Sequence, residues 1–156
     1  MSYATLADMQ ARFPERDLRA VTDENNQAID PVRVQRALDD ASAEIDGYLA
    51  MRYTLPLVDV VLLTPLATPA VLVRACCDIA MYDMQTLRPL SDIKDARQRY
   101  EDCLKMLTLM GRGDVQIIGA QLRNGQATEP KDASLSPGAT MIVSSRQHDI
   151  FGRRHR

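Results

Sequence analysis

The sequence predicts a mainly α fold: a small helical bundle of three long helices plus a short N-terminal helix, followed by a C-terminal arm that is extended or a β-hairpin. Three observations carry this reading. Apolar residues recur at spacings of three and four over three long segments, the pattern of helices that keep one face on a core. Prolines and short polar stretches separate those segments, as antiparallel neighbours in a bundle are joined. After Gly113 the composition changes, with Gly119, Gly125, Pro130, Pro137, Gly138 and Gly152 and only two short β-like runs, 115–118 and 141–143. The organisation read from this is a helical body over 1–113 and an extended arm over 114–156.

Thr5, with Asp8 three residues on, signals a helix start, and Leu6, Met9 and Phe13 give a short amphipathic helix that stops at Pro14. The polar stretch 23–30 contains Asn25-Asn26 and ends in Asp30-Pro31, a capping carboxylate before a proline suited to the first helical turn. The helix that begins there carries Val34, Leu38, Ala41, Ile45, Tyr48 and Leu49 and extends to about Arg52. The apolar stretch 55–72 is interrupted by Pro56, Asp59, Pro65 and Pro69, which excludes a membrane span and predicts a buried loop between helices.

Thr68-Pro69 opens the next helix, in which Val71, Leu72, Ala75, Cys76, Ile79, Ala80 and Tyr82 cover an unusually wide face, so this helix is central. Ser91 precedes the last long segment, with Ile93, Ala96, Tyr100, Cys103, Leu104, Leu107 and Met110 at helical spacing, and Gly111 and Gly113 as terminators. Ile45, Ile79 and Leu107 are thereby expected in one core. Met81, Met84, Met106 and Met110 read as core filler, with an adaptable partner surface as the alternative.

A chain of 156 residues makes one domain with at most a small appendage. Nineteen basic and 21 acidic side chains leave a formal charge of -2, with no general pull toward nucleic acid or anionic membrane. The arm carries +2 and the helical part -4, a polarity suited to docking between copies or onto partners. The cysteines, Cys76, Cys77 and Cys103, form no CxxC pattern and fit a reduced intracellular setting, and residues 1–10 lack the features of a secretory signal.

The residues offer little to catalysis. His148 and His155 lie in the arm, where nothing in the sequence holds an imidazole in place. Asp40 and Glu44, with Arg36 four positions before Asp40, read as a solvated, ion-paired helix face. Asp78, four after Arg74, and Asp83 read as members of ion pairs, and Cys76 and Cys77 as core thiols. The sequence has no phosphate loop, dinucleotide fingerprint or zinc-protease motif. The expectation is a protein that is not an enzyme, with no catalytic, cofactor or metal residues. The last residues combine an apolar anchor, Phe151, with Arg153, Arg154 and Arg156. They read either as a peptide that orders on a partner or as a charged terminus without a role.

Three stretches together carry a resemblance: Tyr3-Ala4-Thr5 through Phe13; Asp46-Gly47-Tyr48-Leu49 with Arg52-Tyr53-x-Leu55-Pro56-Leu57; and Cys77-Asp78-Ile79-Ala80-x-Tyr82. Their order and spacing, over roughly the first 110 residues, resemble the small head-tail connector proteins of Mu-like tailed phages and prophages. The resemblance implies a structural virion protein, an adaptor forming a ring, commonly a dodecamer, beneath the portal. Its implied partners are the portal protein, a stopper or other neck or tail protein, and further copies of itself, with DNA passing through the lumen unbound. Its implied location is the virion neck, and the host cytoplasm during assembly. The interface between copies would be heterologous and closed by rotation. Under this reading Phe151, Arg153, Arg154 and Arg156 are partner anchors. Asp39, Asp40, Glu44 and Asp46 are a candidate lumen lining that phosphates would slide past, with a solvated exterior as the alternative. The other classes weighed are a nucleic-acid-binding module using the basic terminus and a small enzyme using Asp78, Asp83 and a cysteine.

Overall fold

A computed structural model of the chain describes residues 2–123, which form five α-helices and, among the described residues, no strand longer than an isolated bridge. They fall within one compact unit, Met1–Gln126. The helices are α1 (Leu6–Arg12), α2 (Glu15–Thr22), α3 (Pro31–Leu49), α4 (Ala70–Leu87) and α5 (Ile93–Arg112).

Local capping sets three of the boundaries. Thr5 and Asp8 close a reciprocal capping box at the start of α1, the Asp8 amide donating to the Thr5 hydroxyl and the Thr5 amide to the Asp8 carboxylate. The carboxylate of Asp30 accepts the amides of Val32 and Arg33, with Pro31 in the first turn of α3. Gly113, at φ +87°, ends α5 in the left-handed conformation, its amide reaching the Leu109 and Met110 carbonyls.

The expectation of a single short helix before α3 needs correction, because α2 is a second one. Pro14 ends α1 and also supplies the fixed backbone from which α2 starts, and only Leu18, Val21 and Thr22 of α2 turn inward. Two buried aliphatics in eight residues give too short a period to register in the sequence. A second correction concerns Gly111, which lies within α5 and does not terminate it. There α5 crosses the end of α3 so closely that a β-carbon on Gly111 would sit 2.9 Å from the Tyr48 carbonyl oxygen.

The central helix is α4, which packs against each of the other four and buries ten of its residues, from Leu72 to Gln85. Ile45, Ile79 and Leu107 are fully buried in one core with Met9, Leu18 and Leu38, as expected. Met81, Met84 and Met110 belong to the same core. No helix of the described residues is long and apolar enough to cross a membrane.

Past Gly113 the chain turns back over the loop that follows α3. Run 115–118 is not a strand; Ile117 and Ala120 are buried, and single antiparallel bridges join Tyr53 to Leu122 and Asp59 to Ala120. The ladder continues through the Thr54 amide to the Gln121 carbonyl, Gln121 to Val58 and Arg123 to Arg52. The other β-like run, 141–143, lies outside the described residues.

Candidate functional site: an ordered aliphatic tip

The sequence predicts a buried loop between α3 and α4, and the root of that loop is buried: Tyr53 and Leu57 belong to the core. Its tip is the opposite. Val60, Val61, Leu62 and Leu63 are 55, 82, 69 and 72% exposed, and Ile118, brought alongside by the returning chain, is 94% exposed. Their combined surface is on the order of 600 Å², at the upper end for the largest apolar patch of a monomer.

The tip is held out by hydrogen bonds that begin with Asp59. The Asp59 amide donates to the Thr64 carbonyl at 2.9 Å, and the Leu63 amide returns to the Asp59 carbonyl at 2.9 Å. One carboxylate oxygen of Asp59 accepts the Val61 amide at 2.7 Å and the Leu62 amide at 2.9 Å. These bonds, Leu62 first and then Val61, hold the carboxyl below its usual range, so it is charged at neutral pH. Below the tip Val58 bridges to Pro65 and the Leu66 amide reaches the Leu57 carbonyl; on its flank the Val60 amide donates to Gly119. Leu63 adopts φ +53°, a left-handed conformation that costs an L-residue about 1 kcal/mol. Apolar side chains left to themselves would collapse onto the body. Here the backbone geometry opposes that collapse, as expected of a contact surface.

The sequence-predicted acidic residues do not form one face. Asp39 and Asp46 lie on one side of α3, and Asp40 and Glu44 about 100–160° round the helix axis from them. Asp39 and Asp40 are exposed, Asp39 accepting from the Gln35 amide nitrogen. Asp46 accepts the Tyr3 hydroxyl and Glu44 accepts the Tyr100 hydroxyl, both half-buried. The expected Arg36–Asp40 pair is absent among the described residues: Arg36 is exposed and makes no ion pair there.

Asp78 is ion-paired as expected, with Arg74 at 3.5 Å and Arg99 at 3.8 Å; Arg99 also reaches Asp92 at 3.7 Å. These residues line a mixed-charge cleft of about 500 Å³ with Arg12 and Asp17. Asp83 differs from its expectation. It has no ion pair among the described residues, and burial, then Glu44 and Asp40, push its carboxyl up to about 6. All three cysteines are buried free thiols. Burial raises Cys76, takes Cys77 to about 12 and Cys103 to about 11, so each is protonated at neutral pH. Among the described residues, no group of three or more His, Cys, Asp or Glu side chains is placed to hold a metal ion. His148, His155 and the proposed anchors Phe151, Arg153, Arg154 and Arg156 lie outside the described residues.

Sequence reasoning misses the tip. The available signal is the run Val60-Val61-Leu62-Leu63 between a turn-forming aspartate and Thr64-Pro65, too short and too closely bounded for a core strand.

Compared with known proteins, residues 3–136 match the family model described as "Bacteriophage Mu, Gp36". The chain is similar to "Mu-like prophage FluMu protein gp36" of Haemophilus influenzae, 42% identical over 91 residues, which are 58% of this chain and 57% of that protein. It is also similar to "Gene product J" of Escherichia phage Mu, 30% identical over 162 aligned positions covering 100% of this chain and 98% of that one. The first match thus spans little more than half of the relative, and the second nearly all of it.

Proposed function

The chain belongs to the Bacteriophage Mu Gp36 family, and from that premise we propose that it is a structural subunit of the phage particle, a head-tail connector that works by binding alone. In this reading, copies form a ring beneath the portal protein, a stopper or other neck protein docks below, and DNA passes through without specific contacts. The ring sits at the neck of the virion after assembly in the host cytoplasm.

The observation that carries the proposal is the ordered aliphatic tip. A bundle that uses a carboxylate, a main-chain ladder and a left-handed leucine to present five aliphatic side chains to water has the character of an assembly part. Asp39 and Asp40, exposed and in no ion pair among the described residues, are the members of the acidic set best suited to a lumen that must not hold phosphates; Glu44 and Asp46 are engaged by tyrosines. Phe151 with Arg153, Arg154 and Arg156 is proposed to grip a partner.

The test is affinity purification of the tagged full-length chain, under gentle salt, from cells producing the particle. Portal and neck proteins in stoichiometric amounts support the connector; recovery of nucleic acid alone, or of no particle protein under several conditions, overturns it.

A further inference from the structure

Beside the start of the chain lies a pocket that the connector reading leaves unused. Its volume is about 170 Å³, and it is walled by three separate segments: residues 2–3, α3 near its C-terminal end, and the loop 56–68. A cavity of about 150 Å³ admits one benzene-sized group, whereas drug-sized ligands need roughly 300–1,000 Å³, so this pocket takes a single side chain. It is also preformed. The Tyr3 amide donates to the Ser42 hydroxyl at 3.0 Å, and across the loop the Leu66 amide donates to the Leu57 carbonyl at 2.9 Å.

The two kinds of wall specify the occupant. Pro56, Leu57, Pro65 and Leu66 supply an apolar side. On the polar side, with the exposed Thr68 hydroxyl beside them, are acceptors whose protons are already committed: the Ser2 hydroxyl donates to the Ala4 carbonyl, and the Tyr3 hydroxyl to one carboxylate oxygen of Asp46. Burial first, and then Asp46, hold the Tyr3 hydroxyl above its usual range, which keeps that proton in place. The other oxygen of Asp46 makes no hydrogen bond or ion pair among the described residues. A mouth of acceptors with an uncompensated carboxylate suits a cationic donor, and the apolar side suits an aliphatic stem. With one Asp46 oxygen taken, the bidentate fork of an arginine cannot form, while a compact ammonium with its three donors matches Ser2, Tyr3 and Asp46.

We propose that this pocket binds a lysine side chain presented by a partner protein, its stem along the prolines and leucines and its ammonium on Asp46. The site stands whether or not the copies form a ring. One charge in so small a space holds a free amine only weakly, so the contact gains its strength from the surface that delivers the lysine. A second copy is a poor source. Of the 19 basic residues of this chain only Lys94, Lys105 and Lys131 are lysines, and Lys105 pairs with Asp102 at 3.0 Å.

The first experiment titrates the purified full chain with n-pentylammonium, and in parallel with n-pentanol and pentanoate, by amide NMR. Saturable shifts confined to the pocket residues are expected, with the amine bound roughly tenfold tighter than the alcohol and pentanoate not at all. Asp46→Asn, whose amide oxygen still accepts the Tyr3 hydroxyl, should remove that preference and leave the rest of the spectrum unchanged. No saturable shift, equal binding of amine and alcohol, or a preference that survives Asp46→Asn overturns the site. The second experiment identifies the source. The tagged chain, purified with its partners from cells producing the particle, is treated with a carbodiimide, which condenses a carboxyl with a touching amine into an amide and takes up the water. Asp46 joined to a lysine of a particle protein supports the assignment. Asp46 uncoupled, or coupled to Lys94, Lys105 or Lys131 of a second copy, overturns it. Coupling to a host protein alone would overturn the connector reading and leave the lysine pocket standing.

Discussion

The backbone amide of Ile117 donates a 2.9 Å hydrogen bond to the hydroxyl of Tyr53, a buried contact across 64 positions of sequence. This bond ties the chain after α5 to the root of the aliphatic tip. Tyr53→Phe keeps the ring and leaves the Ile117 amide buried without a partner, at a cost of about 1–3 kcal/mol. Chemical denaturation should show that loss. Hydrogen exchange should show early opening of residues 117–123 while the helices stay protected; an unchanged midpoint and exchange pattern would mean that the contact holds nothing.

Gly111→Ala raises helix propensity by about 1 kcal/mol and should still destabilise the protein. The new methyl would lie 2.9 Å from the Tyr48 carbonyl, backbone that cannot yield without parting α5 from α3. Overpacking of that kind costs about 1–3 kcal/mol. The denaturation midpoint is the measurement, and an alanine variant as stable as the parent would show that the crossing is loose.

Asp83 makes stability depend on pH in an unusual direction. Its folded pKa, pushed up to about 6 by burial and by Glu44 and Asp40, exceeds its ordinary value, so the folded protein holds this proton where the unfolded chain releases it. Its contribution is therefore full at low pH and lost as pH rises toward 6 and beyond. Asp83→Asn should stabilise the protein at pH 7 by on the order of 1 kcal/mol, a figure reduced for solvent screening of a half-exposed group, and should give no gain near pH 3.5. Equal effects at both pH values would remove Asp83 as the source.

Asp59→Ala removes the acceptor of the Val61 and Leu62 amides without touching the core. The loss, like that of a helix cap, is confined to the backbone amides that the carboxylate served. Limited proteolysis should then cut within 60–63 several-fold faster than in the parent, with circular dichroism unchanged. A parent-like cleavage rate would assign the order of the tip to the flanking ladder alone.

What the sequence discloses here is what neighbours in the chain decide. Asp30-Pro31 and Gly113 set their helix ends through atoms only a few positions away, and both are legible. The inward faces of α3, α4 and α5 are legible because three long periods agree. The rest depends on distant partners. Gly111 is a glycine because of Tyr48 on another helix, and Glu44 and Asp46 are occupied because Tyr100 and Tyr3 arrive from elsewhere. α2 escapes notice because eight residues with two buried aliphatics carry no period. The loop 55–72 reads as buried because hydropathy cannot distinguish residues sheltered by the fold from those the fold holds out, and its tip is flanked by residues 118–120 from the far end of the body.

The closure beneath the tip is made by main-chain atoms of Asp59, Leu63 and Thr64 and by one carboxylate. None of those bonds consults the side chains of residues 60–63. Those side chains can therefore be exchanged at little cost to the bundle, provided position 63 keeps a residue that tolerates φ +53°, so the character of the exposed surface can change from one relative to another while the folding instructions are inherited unchanged.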